Sequence, residues 1–326
     1  MNLQALPKIE LHLHLDCCLS YEAVRRLAPE ITPEAFRRDF VAPPKCKNLV
    51  DYLRTPPHHV ALMQSEEALR LVVDDLFAQL ARDNVIYAEI RFAPLFHTRG
   101  GLSSEQVVAI VEDAVSLAST ASGIEARIIL CTLRNFSPAQ SLETVRLVEH
   151  FRDTHVAAFD IAGDEAGYPL DAHLAAFQYA IERDIPRTAH AGEARGAESV
   201  WETLRLLHPS RIGHGIRSIE DERLMAHLAA TGVHLEVCPS CNVQTDVVPT
   251  YSDHPVDRLY RQGISLGIST DTRTVTDVTL ATEYERLHRT FGWGAEEFLA
   301  VNLNAVRAAF AEPAVRHKIE ARLRAQ

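Results

Sequence analysis

Eight short runs of apolar and β-branched residues recur along the chain with helical patterns between them, and no other feature of the sequence restricts its fold as strongly. They are Ile9 to Leu15, Val85 to Phe92, Ala126 to Thr132, Val156 to Ile161, Thr188 to Ala191, Arg211 to Gly213, Val233 to Val237 and Ile264 to Ser269. Continuous apolar runs of this length read as parallel strands buried on both faces, whereas half-exposed strands alternate in polarity. Parallel neighbours require a crossover, which is the place of the helical stretches. With no Pro-, Gly- or Ser-rich linker between the units, the expectation is one (β/α)8 barrel domain over residues 1–326, in preference to two open sheets.

The connecting stretches carry helix punctuation. Ser103 followed by Gln106 opens a run in which Val107, Val108, Ile110, Val111, Ala114 and Val115 fall at helical spacing, and Ser137, Pro138 and Gln140 repeat the device. A further helix is expected from Ile219 to Thr231, ending at Gly232. The segment from Leu19 to Asn84 is too long for one crossover and holds several helical patterns, among them Glu66 to Ala81. It reads as an elaborated first βα connection able to act as a lid. From Glu283 onward the pattern is helical, with Pro313 as a break.

Composition narrows the function. Lys and Arg total 33 against 44 Asp and Glu, a formal charge of −11, which disfavours phosphate backbones and anionic membranes and favours a small-molecule substrate. No apolar run approaches the ~18 residues of a membrane span. The opening MNLQALPKIE lacks the basic flank and apolar stretch of a secretory signal, and six scattered cysteines do not make a disulfide framework. A reduced, cytoplasmic setting is therefore expected.

A barrel of this kind carries its chemistry at the C-terminal ends of its strands. The first run ends His12, Leu13, His14, Leu15, Asp16, and the two-residue period puts both imidazoles on one face. The fifth ends His190, Ala191, Gly192, Glu193, the sixth Gly213, His214, Gly215, and the eighth Ser269, Thr270, Asp271. Alone, an H-x-H pair is equally well a strand-face pair satisfied by backbone. Repetition at four strand ends argues for a shared partner, because so many polar groups are costly to bury without one. Three imidazoles and a carboxylate match the ligand set of a catalytic zinc, which lowers the pKa of its bound water to about 7.

Other features read as structural. The CPSC run, Cys238 to Cys241, has no second CxxC and lacks the order of a cytidine-deaminase zinc site. Gly100 and Gly101 form a turn outside any phosphate-cradle context. His58, His59, His150 and His317 read as surface or loop residues.

Taken together, KIELHLHLD (Lys8 to Asp16), YAEIRFAP (Tyr87 to Pro94), FDIAGDE (Phe159 to Glu165), TAHAGE (Thr188 to Glu193), RIGHG (Arg211 to Gly215) and STD (Ser269 to Asp271) resemble the adenosine deaminase branch of the metal-dependent amidohydrolases. The resemblance implies a (β/α)8 barrel with one catalytic zinc per chain held by His12, His14, His190 and Asp271, the residues that the strand-end argument also selects. It further implies deamination of adenosine or 2′-deoxyadenosine to the inosine product and ammonia, by attack of zinc-bound hydroxide at purine C6. Glu193 would protonate purine N1, His214 would help deprotonate the water and stabilise developing charge, and Asp271 would be catalytic as well as a ligand. Asp16 would bind the ribose 5′ hydroxyl, Gly163 would offer its N–H to purine N3, and Thr272 would meet N7.

Two departures bear on the substrate. Cys17 stands where HLDG is common, and Thr272 stands where many relatives carry a second Asp. A threonine hydroxyl still donates a hydrogen bond but is shorter. TPPHH, from Thr55 to His59, puts two prolines at the expected rim, where the family usually has an apolar or aromatic gate. Adenine or aminodeoxyfutalosine is the alternative substrate, and a catalytically silent ligand-binding barrel the alternative of a different class.

Overall fold

The computed structural model describes residues 2–325. Its strands are β1 (Lys8–His14), β2 (Val85–Phe92), β3 (Glu125–Leu133), β4 (Val156–Ala162), β5 (Thr188–Ala191), β6 (Arg211–His214), β7 (His234–Val237) and β8 (Leu266–Ile268). β1 to β4 form one parallel set and β5 to β8 another. Two parallel bridges close them into a ring: Phe159 with Arg187 between β4 and β5, and Leu13 with Asp271 between β1 and the residues after β8. The result is the expected (β/α)8 barrel.

The eight runs coincide with the strands to within two residues at each end. The helix expected from Ile219 begins instead at Glu222, because Asp221 caps it through bonds from the N–H groups of Arg223 and Leu224 and a 3-10 turn occupies 216–220. Both Ser/Gln capping boxes are present. The first connection holds five helices, of which the longest is Glu66–Arg82. Pro56 and Pro57 open the helix Pro56–Leu62, where a missing N–H costs nothing. Pro313 likewise opens Pro313–Arg324.

Apolar side chains of the strands and surrounding helices make one large core, and a smaller cluster joins Ile9, Leu11, Ile86 and Tyr87 to the C-terminal helices. All six cysteines are buried and free. Among the described residues no helix is long and apolar enough to cross a membrane. His58, His150 and His317 are exposed as expected, but His59 is fully buried. Its Nε2 donates to the Phe40 carbonyl at 2.9 Å, tying two helices of the first connection together. Sequence alone misplaces it because the helix face it occupies is decided by packing with a distant helix.

Candidate active site

Backbone pairing at the barrel seam assembles the centre. The Asp271 N–H donates to the His12 carbonyl at 3.0 Å and the His14 N–H donates to the Asp271 carbonyl at 2.8 Å. Asp271 is thereby inserted against β1, with Oδ1 3.2 Å from His12 Nε2 and 3.3 Å from His14 Nε2. Its φ of 65° is left-handed, a conformation Asp tolerates better than most residues, and His214 sits similarly at 60°.

His190 enters from β5, its Nε2 3.3 Å from His14 Nε2. One donor atom from each of His12, His190, His214 and Asp271 falls within 4.8 Å of the others, and His14 joins through its contacts with His190 and Asp271. Gly213 makes room. A Cβ there would lie 3.0 Å from His12 Cε1 and 3.2 Å from His190 Cγ, so the glycine of RIGHG admits both rings.

The residues fit a cation. His12 Nε2 is buried without a hydrogen-bond partner among the described residues, since Asp271 is near but out of line for one. Two imidazole nitrogens face each other across 3.3 Å, an arrangement that a shared positive ion would satisfy. Burial alone would raise the Asp271 carboxyl, but the neighbouring His12, His14 and His214 hold it well below the usual carboxylate range. Burial also pushes the His14 imidazole down to about 3, keeping it neutral and able to bind metal.

Behind these ligand candidates lies a layer of buried charge. His12 Nδ1 meets Glu236 Oε2 at 2.8 Å, and His190 Nδ1 lies 3.2 Å from Asp160 Oδ2. Arg91 donates to both carboxylates, at 2.6 Å to Glu236 and 2.8 Å to Asp160. Against the cost of burial, His190 and Arg91 hold Asp160 below its ordinary range, and Arg91 and Arg211 do the same for Glu236. His12 and His190 are thus each oriented by an ionised partner. Asp160, Glu236 and Arg91 are candidate positions behind the centre that the strand-end argument passed over. Their signal was a charge inside an apolar strand, as at Glu89 and Arg91 in YAEIRFAP.

Glu193 follows β5, buried, with Oε1 3.6 Å from His214 Nε2. Burial first, then the Asp271 and Glu165 charges, push its carboxyl well above the ordinary range, so it stays protonated. Burial and neighbouring His12 press the His214 imidazole well down. Glu165 shapes the loop: its carboxylate accepts the N–H groups of Gly192, Glu193, Ala194 and Arg195 at 2.5–3.0 Å and the Ser199 hydroxyl at 2.5 Å. The AGDE motif therefore supplies an anchor for Glu193 as well as Gly163, whose φ of 99° calls for glycine.

Asp16 caps no helix; Ser20 caps the next one. It is buried in a 3-10 turn, accepts the Ala93 N–H at 3.3 Å and lies 3.7 Å from His97 Nε2. The Thr272 hydroxyl bonds with the hydroxyls of Tyr52 and, at 2.9 Å, Thr276. Tyr52 belongs to the first connection, so that connection reaches the centre. Cys241, read from sequence as merely structural, has Sγ within 4.8 Å of the Glu193 and Asp271 carboxylates. A cavity of about 350 Å³ opens onto Glu193, walled by Lys47, Asn48, Leu49, Asp164 and Arg217.

Residues 7–326 match the model of the adenosine deaminase family. The chain belongs to that family. An adenosine deaminase of Clostridium acetobutylicum is 36% identical over 313 residues, which cover 94% of this chain and 93% of the relative. The structure of an adenine deaminase from Arthrobacter aurescens superposes with a TM-score of 0.90 at 27% identity, covering 98% of each chain. A Burkholderia ambifaria amidohydrolase with bound Zn has the same fold, with a TM-score of 0.90 at 23% identity over 98% of this chain and 90% of that one. As a member of the adenosine deaminase family the chain is a hydrolase of C–N bonds in cyclic amidines, and its buried His/Asp centre is compatible with a metal.

Proposed function

We propose that this chain is a zinc-dependent, cytoplasmic deaminase of adenosine and 2′-deoxyadenosine, working as one hydrolase unit over residues 1–326, of which 1 and 326 lie outside the described residues. The observation that carries the reading is the convergence of His12, His190, His214 and Asp271 within 4.8 Å, with the Glu193 carboxyl beside His214. His12, His14, His190 and Asp271 would hold one zinc. When bound, the ion supplies a Lewis acid and a water acidic enough to react at neutral pH.

The chain's own residues do the rest. Water adds to purine C6, which drives an electron pair onto N1, and Glu193 carries the proton that N1 then requires. The Asp271 carboxylate would receive the proton that the attacking water gives up. His214, whose Nε2 is 3.6 Å from Glu193 Oε1, is assigned to the attacking oxygen. The C6–N bond breaks as Asp271 passes that proton to the amino nitrogen, which leaves as ammonia, and the C6 hydroxyl proton returns to Glu193, so adenosine and water give inosine and ammonia. Asp16 is assigned to the ribose 5′ hydroxyl, the Gly163 N–H to N3 and Thr272 to N7. The single Thr272 hydroxyl proton is available to N7 when Tyr52 and Thr276 both donate to its oxygen, and the side chain has no carboxyl chemistry to offer.

Ammonia release from adenosine, 2′-deoxyadenosine, adenine and aminodeoxyfutalosine tests the substrate. Preference for the first two is expected, a preference for either of the others would reassign the substrate, and no release from any would return the chain to a ligand-binding barrel. His12→Ala is expected to lose both zinc and turnover; full metal occupancy with a normal rate would remove His12 from the ligand set.

A further inference from the structure

The direction of each hydrogen bond behind His214 can be read outward from one fixed donor. The Val256 backbone N–H points at His254 Nδ1 at 3.1 Å, and a backbone amide can only donate, so that nitrogen carries a lone pair. The proton of His254 is then on Nε2, which lies 3.2 Å from Asn242 Oδ1 and donates to it. This orients the Asn242 amide. The flipped amide would set its NH2 against the His254 N–H, donor against donor. With Oδ1 toward His254, the Asn242 Nδ2 group donates to His214 Nδ1 at 3.1 Å. His214 Nδ1 must be a bare acceptor, and its one proton sits on Nε2, the nitrogen 3.6 Å from Glu193 Oε1.

We propose that Asn242, held by His254, fixes His214 in the Nε2–H tautomer, so that His214 meets the attacking oxygen as a hydrogen-bond donor and not as the base that deprotonates it. The inference rests on the deaminase reading for its last clause only; the tautomer itself follows from the chain's own contacts. Asn242 is fully buried and His254 nearly so, and no solvent competes for the amide. The Asn242 main chain is also pinned, its N–H donating to Cys238 and its carbonyl accepting from Val247 at 3.0 Å. A donor aimed at the attacking oxygen stabilises the charge that develops there, and it leaves the Asp271 carboxylate as the nearest group able to take the water's proton. Asn242 and His254 are positioning residues, since neither reaches the reacting atoms.

Nitrogen-15 NMR of histidine-labelled, zinc-loaded protein reads the tautomer without substrate. The expected spectrum shows His214 protonated on Nε2 and bare on Nδ1; the reverse pattern overturns the proposal whatever the enzyme acts on. In Asn242→Asp the carboxylate accepts from both rings, moving the His214 proton to Nδ1. The expected result is a fall in kcat of about 10²-fold or more, with zinc content and KM little changed. A folded Asn242→Asp protein with the inverted tautomer and undiminished kcat overturns the donor role. If that variant does not fold, the His254 pair decides. His254→Ala should lose about tenfold in kcat and His254→Gln, whose amide can donate to Asn242 Oδ1, should regain most of it. Equal rates in the two would sink the relay.

Discussion

Arg91 reaches Glu236 Oε2 at 2.6 Å, and that same oxygen receives His12 Nδ1 at 2.8 Å. One guanidinium, fully buried, thus stands behind two of the imidazoles at the barrel mouth, since its other arm holds the Asp160 that contacts His190. Replacing Arg91 by Met leaves Asp160 without its cationic partner in a dry interior, and breaking a buried pair in this way costs about 3–5 kcal/mol. Urea unfolding should show that loss, and competition with a chelator should show zinc held at least tenfold more weakly. Unchanged zinc affinity in a stable variant would mean that the two imidazoles do not need the clamp.

The Glu165 carboxylate gathers four consecutive N–H groups from Gly192 to Arg195. Glu165→Gln keeps the shape and loses the charge and one acceptor oxygen. Stability is expected to fall by about 2 kcal/mol, the scale of charge-assisted hydrogen bonds. The Glu193 side chain would lose its fixed position, so kcat should drop while zinc content holds. Thermal unfolding, metal analysis and steady-state kinetics together check this.

For Glu193 the sign of the pH effect follows from its raised carboxyl. In the unfolded chain the group ionises near its ordinary value of 4.5, while in the folded protein it remains protonated to higher pH. Its stabilising contribution is therefore complete below about pH 4.5 and is lost as pH rises through the folded pKa. Glu193→Gln cannot ionise. The Tm of the variant should match wild type at acidic pH and exceed it increasingly toward alkaline pH, while kcat falls about 10²–10⁴-fold for want of a proton donor. A Tm gap independent of pH would show that the carboxyl is not raised.

Gly213→Ala would place a methyl 3.0 Å from His12 Cε1 and 3.2 Å from His190 Cγ. Overpacking of this kind costs about 1–3 kcal/mol, and here the groups that must yield are two metal-ligand candidates. Zinc titration of the variant should show weakened binding out of proportion to the loss in Tm. Normal affinity would indicate that the rings have room to move.

The alternation of eight buried runs with capped helices determined the barrel, because period and punctuation are local properties that a single chain displays without a partner. For the same reason the polar residues closing those runs, His12, His14, His190, His214 and Asp271, were legible as one centre: parallel strands in a closed ring all end on the same rim. Pairings across the ring were not legible. Glu236 lies 224 residues from the His12 it orients, and Thr272 lies 220 residues from Tyr52. A charge inside an apolar strand announces that it has a partner without saying which. The burial of His59, the nearness of Cys241 to Glu193 and the Asn242–His254 contact belong to the same class. Strand order, the seam that threads Asp271 between His12 and His14, and the packing of the first connection over the rim are collective outcomes of the closed sheet, and they alone decide which side chains meet.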